Sequence, residues 1–160
     1  MGIIIVILLR RLILMIVRDC AGGVVFHKDK VLILKNDKNQ WVLPKGKIRD
    51  GFLPTETAIS RIKHEAGVDA SIVSTAGETS YEFFSLSRKQ LVCNQIIWYV
   101  MEASSENYKI NAEEGFRDGG FYPINQALEM ITHSQDRSLV SLSYKKYLEY
   151  KDFEVKQILA

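Results

Sequence analysis

The chain has 160 residues, of which 47% are hydrophobic and 25% charged, with a formal net charge of +2. That is material for one globular domain with a substantial core, and it excludes a disordered polar chain. The charge is too small and too dispersed to argue for a nucleic-acid or membrane-surface partner. Cys20 and Cys93 form neither a spaced metal motif nor a disulfide framework, so reduced, buried thiols in a cytoplasmic protein are expected.

Residues 1–17 read M-G-I-I-I-V-I-L-L-R-R-L-I-L-M-I-V. Arg10 and Arg11 divide the apolar run, and neither half approaches the roughly 20 residues that span a bilayer. A secretory signal would place its basic residues first and end on a small-residue cleavage site, and this stretch does neither. Three readings stay open: a hydrophobic hairpin or strand packed on the domain, an interfacial anchor, and an upstream extension of the reading frame with Met15 as a second start. The domain itself is expected over 18–152, with a C-terminal tail over 153–160.

Gly23–Phe26 and Val31–Leu34 are short β-rich runs around His27-Lys28-Asp29-Lys30, which predicts an antiparallel hairpin. Trp41 and Leu43 then lead into a loop broken by Pro44, Gly46 and Gly51, with Lys45 and Lys47 flanking Gly46. Two lysines on such a loop suit a phosphate as well as they suit solvent. The spacing next predicts a helix over about Pro54 to Ala66. Pro54 fits its first turn, Thr55 or Thr57 can serve nearby N–H groups, and Gly67 fits its C-terminal stop. Ala58, Ile62 and Ala66 recur every four residues and form the buried stripe, while Arg61, His64 and Glu65 share another face that looks back to the loop. Arg61 and Glu65 are also spaced for an ion pair within the helix.

Gly46 to Val68 resembles the Nudix box, whose pattern runs Gly, five residues, Glu, seven residues, then Arg-Glu-apolar-x-Glu-Glu-x-Gly-apolar. Gly46, Ile62, Glu65, Gly67 and Val68 match it. Phe52 stands at the first Glu, Ser60 at the Arg, Arg61 at the next Glu and His64 at the penultimate Glu. The flanking A-G-G-V-V-F, V-L-I-L-K and W-V-L-P-K-G-K extend the resemblance, and T-S-Y-E-F-F followed by W-Y-V-M is similar to the diadenosine polyphosphate hydrolase branch.

The resemblance implies an α+β fold, an α/β/α sandwich with a mixed β-sheet flanked by helices. It also implies metal-dependent attack of water on a phosphorus, with Mg²⁺ or Mn²⁺ held by box carboxylates and by the carbonyl of the loop glycine. Carried over by position, Gly46 and Glu65 are the candidate metal ligands and Glu65 the candidate catalytic carboxylate. Glu56, Glu113 and Glu114 are further candidates for a carboxylate outside the matched positions. The four departures shift the local charge by about +3 with a neutral histidine, so the site tends to repel Mg²⁺ while still attracting phosphate. Phe52 is expected to fold back over the helix start.

After the box, Ala70–Ser74 and Thr79–Phe84 read as strands around a turn near Ala76-Gly77. Leu91–Met101 is the strongest strand signal, with Ser85–Gln90 as the hairpin loop. Tyr81 is the candidate base-stacking residue of this aromatic hairpin. A short strand over Gly119–Tyr122 precedes helices at about Asn125–Ile131 and Asp136–Tyr150. The latter presents Leu139, Val140, Leu142, Tyr144, Tyr147 and Leu148 for packing, with Lys145 and Lys146 turned outward.

Two functions follow. One is a Nudix-type hydrolase of a nucleoside diphosphate-linked or dinucleoside polyphosphate substrate, weakened by the lost glutamates. The other is a catalytically silent Nudix-fold domain that binds a nucleotide or another phosphorylated small molecule. In both, Lys45, Lys47, Arg61, His64 and Tyr81 are the expected ligand contacts. No nucleic-acid partner and no membrane span are expected.

Overall fold

The structure, a computed structural model, describes residues 15–160. The apolar stretch at 1–14, most of the expected N-terminal extension, lies outside the described residues. The chain forms strands β1 (Ile16–His27), β2 (Lys30–Asn36), β3 (Trp41–Val42) and β4 (Lys45–Lys47), then helix α1 (Pro54–Ala66). Strands β5 (Ala70–Ser85) and β6 (Gln90–Ala103) follow, then a 3₁₀ turn (Ala112–Glu114), β7 (Phe116–Pro123), α2 (Ile124–Met130) and α3 (Ser134–Leu159). The strands make one seven-stranded mixed sheet in the order β3-β2-β1-β6-β5, with β4 on β1 and β7 on β2.

β1 is longer than the run Gly23–Phe26 that the sequence suggests, because it pairs in parallel with β6 all the way from Ile16 to Phe26. A strand covered on both faces loses the alternation that would mark it. Cys20, Val24 and Phe26 face one side of the sheet and Ala21 and Val25 the other, and all are buried. On the first side, α2 with its C-cap Ile131 and α3 add Ala127, Ile131, Leu139, Val140 and Tyr147, with the Tyr147 ring stacked 4.9 Å from Phe26. On the second, α1 lays Ala58, Ile62 and Ala66 against Leu32, Leu34 and Met101. Burying that stripe is what fixes α1, since a 13-residue helix is marginal alone. The result is the expected α/β/α sandwich.

Several local expectations differ from the structure. The break near Ala76-Gly77 is a bulge inside a continuous β5, with Gly77 at φ +143°, rather than a turn. Glycine with positive φ signals either. α3 runs on to Leu159 instead of ending near Tyr150, and its last turns leave Phe153, Val155, Ile158 and Leu159 exposed. Leu142 and Leu148, expected to pack, are also exposed. Phe52 is 60% exposed and does not cap α1. The helix start is served by neither threonine: Glu56 accepts a hydrogen bond from the Leu53 N–H at 3.0 Å.

Gly22 positions the site. It pairs with Lys45 across β1 and β4, and a Cβ there would collide with the Pro44 carbonyl oxygen and stand 2.7 Å from both Lys45 Cβ and Trp98 Cζ3. The bare backbone lets Lys45 cross β1 until its Nζ lies 5.4 Å from the centre of the Tyr81 ring. Gly22→Ala is expected to cost about 3 kcal/mol in urea unfolding, the upper end of ordinary overpacking, because a backbone carbonyl is among the obstacles.

Candidate functional site

The loop glycine and the helix meet as the box spacing implies. Gly46 faces α1, and a Cβ on it would collide with Arg61 Nε and Cδ and stand 2.7 Å from Cγ. The arginine side chain therefore lies on the glycine. Its Nη2 donates to Glu65 Oε1 at 2.8 Å and to Glu114 Oε2 at 3.1 Å. Glu114 Oε1 in turn meets His64 Nε2 at 2.6 Å. The expected Arg61–Glu65 pair is thus present, and Glu114 extends it into a four-residue network.

Glu114 arrives there because its loop is stitched to the end of α1. The last turn of a helix leaves carbonyls without internal partners. Here Gly67, in the left-handed conformation at φ 65°, donates its N–H to the Lys63 carbonyl at 2.9 Å. Asn111 Nδ2 donates to the His64 carbonyl at 3.1 Å, Asn111 N–H to that of Glu65 at 3.0 Å, and Lys109 N–H to that of Ala66 at 2.7 Å. Asn111 also accepts from the Glu113 N–H at 3.1 Å, capping the 3₁₀ turn. That turn aims Glu114 at the box. Asn111 was not singled out in the sequence, although Asn ahead of Ala-Glu-Glu-Gly is a legible cap signal.

Burial sets the electrostatics. Glu65 is 3% exposed, and burial pushes its carboxyl up against the opposing pull of Arg61 and Lys45. Burial works hardest against the Arg61 charge, yet Glu65 and Glu114 together hold the guanidinium firmly protonated. Glu114, near the surface, is pulled below the usual carboxylate range by its hydrogen bond from His64 and then by Arg61. Arg61 Nε and Glu65 Oε2 are buried without a hydrogen-bond partner.

Glu65, Glu114, Lys45 and Tyr81 line one cleft of about 1040 Å³ between the sheet, the 3₁₀ loop and the start of α3. Asp136 lines it too, its carboxyl raised by burial despite His133 and Lys45. His64 does not line this cleft and borders instead a separate hollow beside Lys63 and Val68. Lys47 is exposed at the end of β4. Glu56 is engaged at the helix start, and Glu113 takes no part in the network.

The divalent metal implied by the resemblance does not fit these residues. A magnesium ion takes about six oxygens near 2.0–2.1 Å. Of the expected ligands, Gly46 has the Arg61 side chain packed against its Cα and Glu65 is already bonded to that arginine. Among the described residues no group of three or more His, Cys, Asp or Glu side chains is placed to hold a metal ion.

Residues 8–142 match the family model described as the NUDIX domain. The chain belongs to that family. Solved structures agree at the level of the fold. The Ap4A hydrolase of C. elegans superposes with a TM-score of 0.60 over 81% of this chain and 98% of that one, at 16% identity. The dihydroneopterin triphosphate pyrophosphohydrolase of E. coli gives 0.64 over 78% and 94%, at 14% identity. An ADP-ribose pyrophosphatase of Streptococcus suis gives 0.58 over 81% and 91%, also at 14%. No helix among the described residues of this Nudix domain is long and apolar enough to cross a membrane.

Two consequences are measurable. Removing one partner of a buried pair strands the other charge, so Arg61→Met should destabilise by about 2 kcal/mol, discounted from the usual cost because Arg61 is partly exposed, and Arg61→Met with Glu65→Leu should recover most of it in urea unfolding. Glu114 has a lowered folded-state pKa, so its contribution is present above the unfolded value and lost as pH falls through the folded one. The stability gap between the natural protein and Glu114→Gln should be open at pH 7 and close below the ordinary carboxylate range.

Proposed function

We propose that this Nudix domain binds a nucleoside diphosphate-linked or dinucleoside polyphosphate ligand, and that hydrolysis is slow because a guanidinium stands where a hydrolase of this family keeps a metal. The observation that carries the reading is Arg61, overlying Gly46 and bonded to both Glu65 and Glu114. A guanidinium offers a phosphate charge and directed N–H donors. It is no Lewis acid and does not convert bound water into hydroxide at neutral pH, which is the larger part of what a catalytic metal supplies.

In this reading Lys45 and Arg61 meet the phosphates, with Lys47 and His64 at the margins. Tyr81, 41% exposed in the cleft, gives a base an aromatic face. Glu65 chiefly holds Arg61. Its second oxygen is buried out of water's reach, so it is a poor base for a water attacking phosphorus, which keeps turnover slow. Breaking the phosphoanhydride bond then releases two phosphorylated products. The location expected is the cytoplasm.

The test pairs calorimetric binding with product release over dinucleoside polyphosphates, ADP-ribose and nucleoside triphosphates. Binding should persist in a chelator and weaken roughly tenfold in Lys45→Ala. Turnover should respond little to Mg²⁺ or Mn²⁺, and rise about a hundredfold with Mg²⁺ in folded Arg61→Glu/His64→Glu, which rebuilds the acidic box. Rapid metal-dependent turnover by the natural protein, abolished in Glu65→Ala, would overturn the slow-catalysis reading.

A further inference from the structure

Three cations outside the box network share one face of the sheet. Register places Arg18 beside Asn94, and Cys20 beside both Lys47 and Ile96, while Tyr81 pairs with Asn94 on the other side of β6. Directly paired residues point the same way, so Lys45 and Lys47 of β4, Arg18 of β1, Asn94 of β6 and Tyr81 and Phe83 of β5 form a row.

Arg18 is held in place. Its Nε donates to Asn94 Oδ1 at 2.9 Å and its guanidinium lies 5.5 Å from the centre of the Phe83 ring. Asn94, 3% exposed, donates its Nδ2 to the Tyr81 hydroxyl at 2.7 Å, and the Tyr81 and Phe83 rings stand 6.0 Å apart. A buried amide is thereby spent on orienting an arginine and a tyrosine together. The outer nitrogens of that guanidinium are left for something else. Among the described residues Arg18, Lys45 and Lys47 form no ion pair, and residues 1–14 contain no Asp or Glu to supply one. The Cys20 thiol beneath them is pushed up by burial, and all three cations act against that rise.

We infer that Arg18, Lys45 and Lys47 form a second anion subsite, apart from Arg61, which takes a distal phosphate of a ligand carrying an extended polyphosphate chain. The inference rests on the phosphate-binding reading of the cleft and adds chain-length selectivity to it. Lys45 belongs to both subsites, because it reaches Tyr81 from a backbone position next to Gly46. Arg18 belongs to the distal one alone. Asn94 is its positioning residue.

Calorimetry with ADP and with diadenosine tetraphosphate tests this in the natural protein, Lys45→Ala, Arg18→Gln and Lys47→Gln. The two glutamine changes are at exposed or half-exposed positions and keep polar side chains. Arg18→Gln should weaken the tetraphosphate about tenfold and ADP less than twofold, and Lys47→Gln should do the same more weakly. Lys45→Ala should weaken both ligands. Raising salt should erode tetraphosphate binding more steeply in the natural protein than in Arg18→Gln. Equal effects of Arg18→Gln on the two ligands, or none on either, overturn the second subsite and leave the reading of the cleft standing. A natural protein that binds neither ligand overturns both.

Discussion

A carboxylate that water cannot reach must be compensated from within, and Glu65 is that carboxylate. At 3% exposure it has no solvent to share its charge with, so its position at the end of α1 is tolerable only beside a cation. In an acidic box the cation is a metal brought from outside. Here it is Arg61, four residues back on the same helix, at 2.8 Å. A metal held by one carboxylate would be weakly bound, whereas a guanidinium needs only two acceptors in reach, and Glu65 and Glu114 are both in reach.

The internal cation also reassigns the loop after β6. Asn111 and Lys109 satisfy carbonyls at the end of α1 that would otherwise be stranded, and the 3₁₀ turn that Asn111 caps delivers Glu114. Gly67 is necessary for the same junction. Its left-handed conformation turns the chain away, and a Cβ there would crowd Lys109 at 3.1 Å. Helix termination, loop anchoring and charge compensation are therefore one arrangement, so a change at Asn111 reaches Arg61 without touching it.

The sequence showed the part of this that depends on local spacing. The stripe Ala58, Ile62, Ala66 and the stop at Gly67 follow from a period of 3.6, and the Arg61–Glu65 pair follows from their being four apart. The parts that depend on distant pairing were hidden. Glu113 and Glu114 are indistinguishable as neighbours on a polar loop, and only the anchoring of Asn111 decides that Glu114 turns inward. The last turns of α3 hid for the opposite reason: Phe153, Val155, Ile158 and Leu159 lie exposed, so they obey no packing period that would extend the helix beyond Tyr150. Arg18 was not singled out in the sequence, where it is only the first residue after the apolar run. Its meaning comes from Asn94, 76 residues away.

Set side by side, the two charged regions are built on opposite plans. Around Arg61 each charge has a partner, so the box is close to neutral and its groups are held by one another. Along β4 and β1, Arg18, Lys45 and Lys47 share a face with aromatic rings and an amide but with no carboxylate bonded to them. A phosphate that approaches Arg61 must compete with Glu65 and Glu114, whereas one that approaches Arg18 or Lys47 displaces no bonded carboxylate. The row therefore carries cations with no bonded carboxylate, whereas the guanidinium of the box is bonded to two. Lys45 links the two regions, and the missing side chain of Gly22 is what lets it lie across β1.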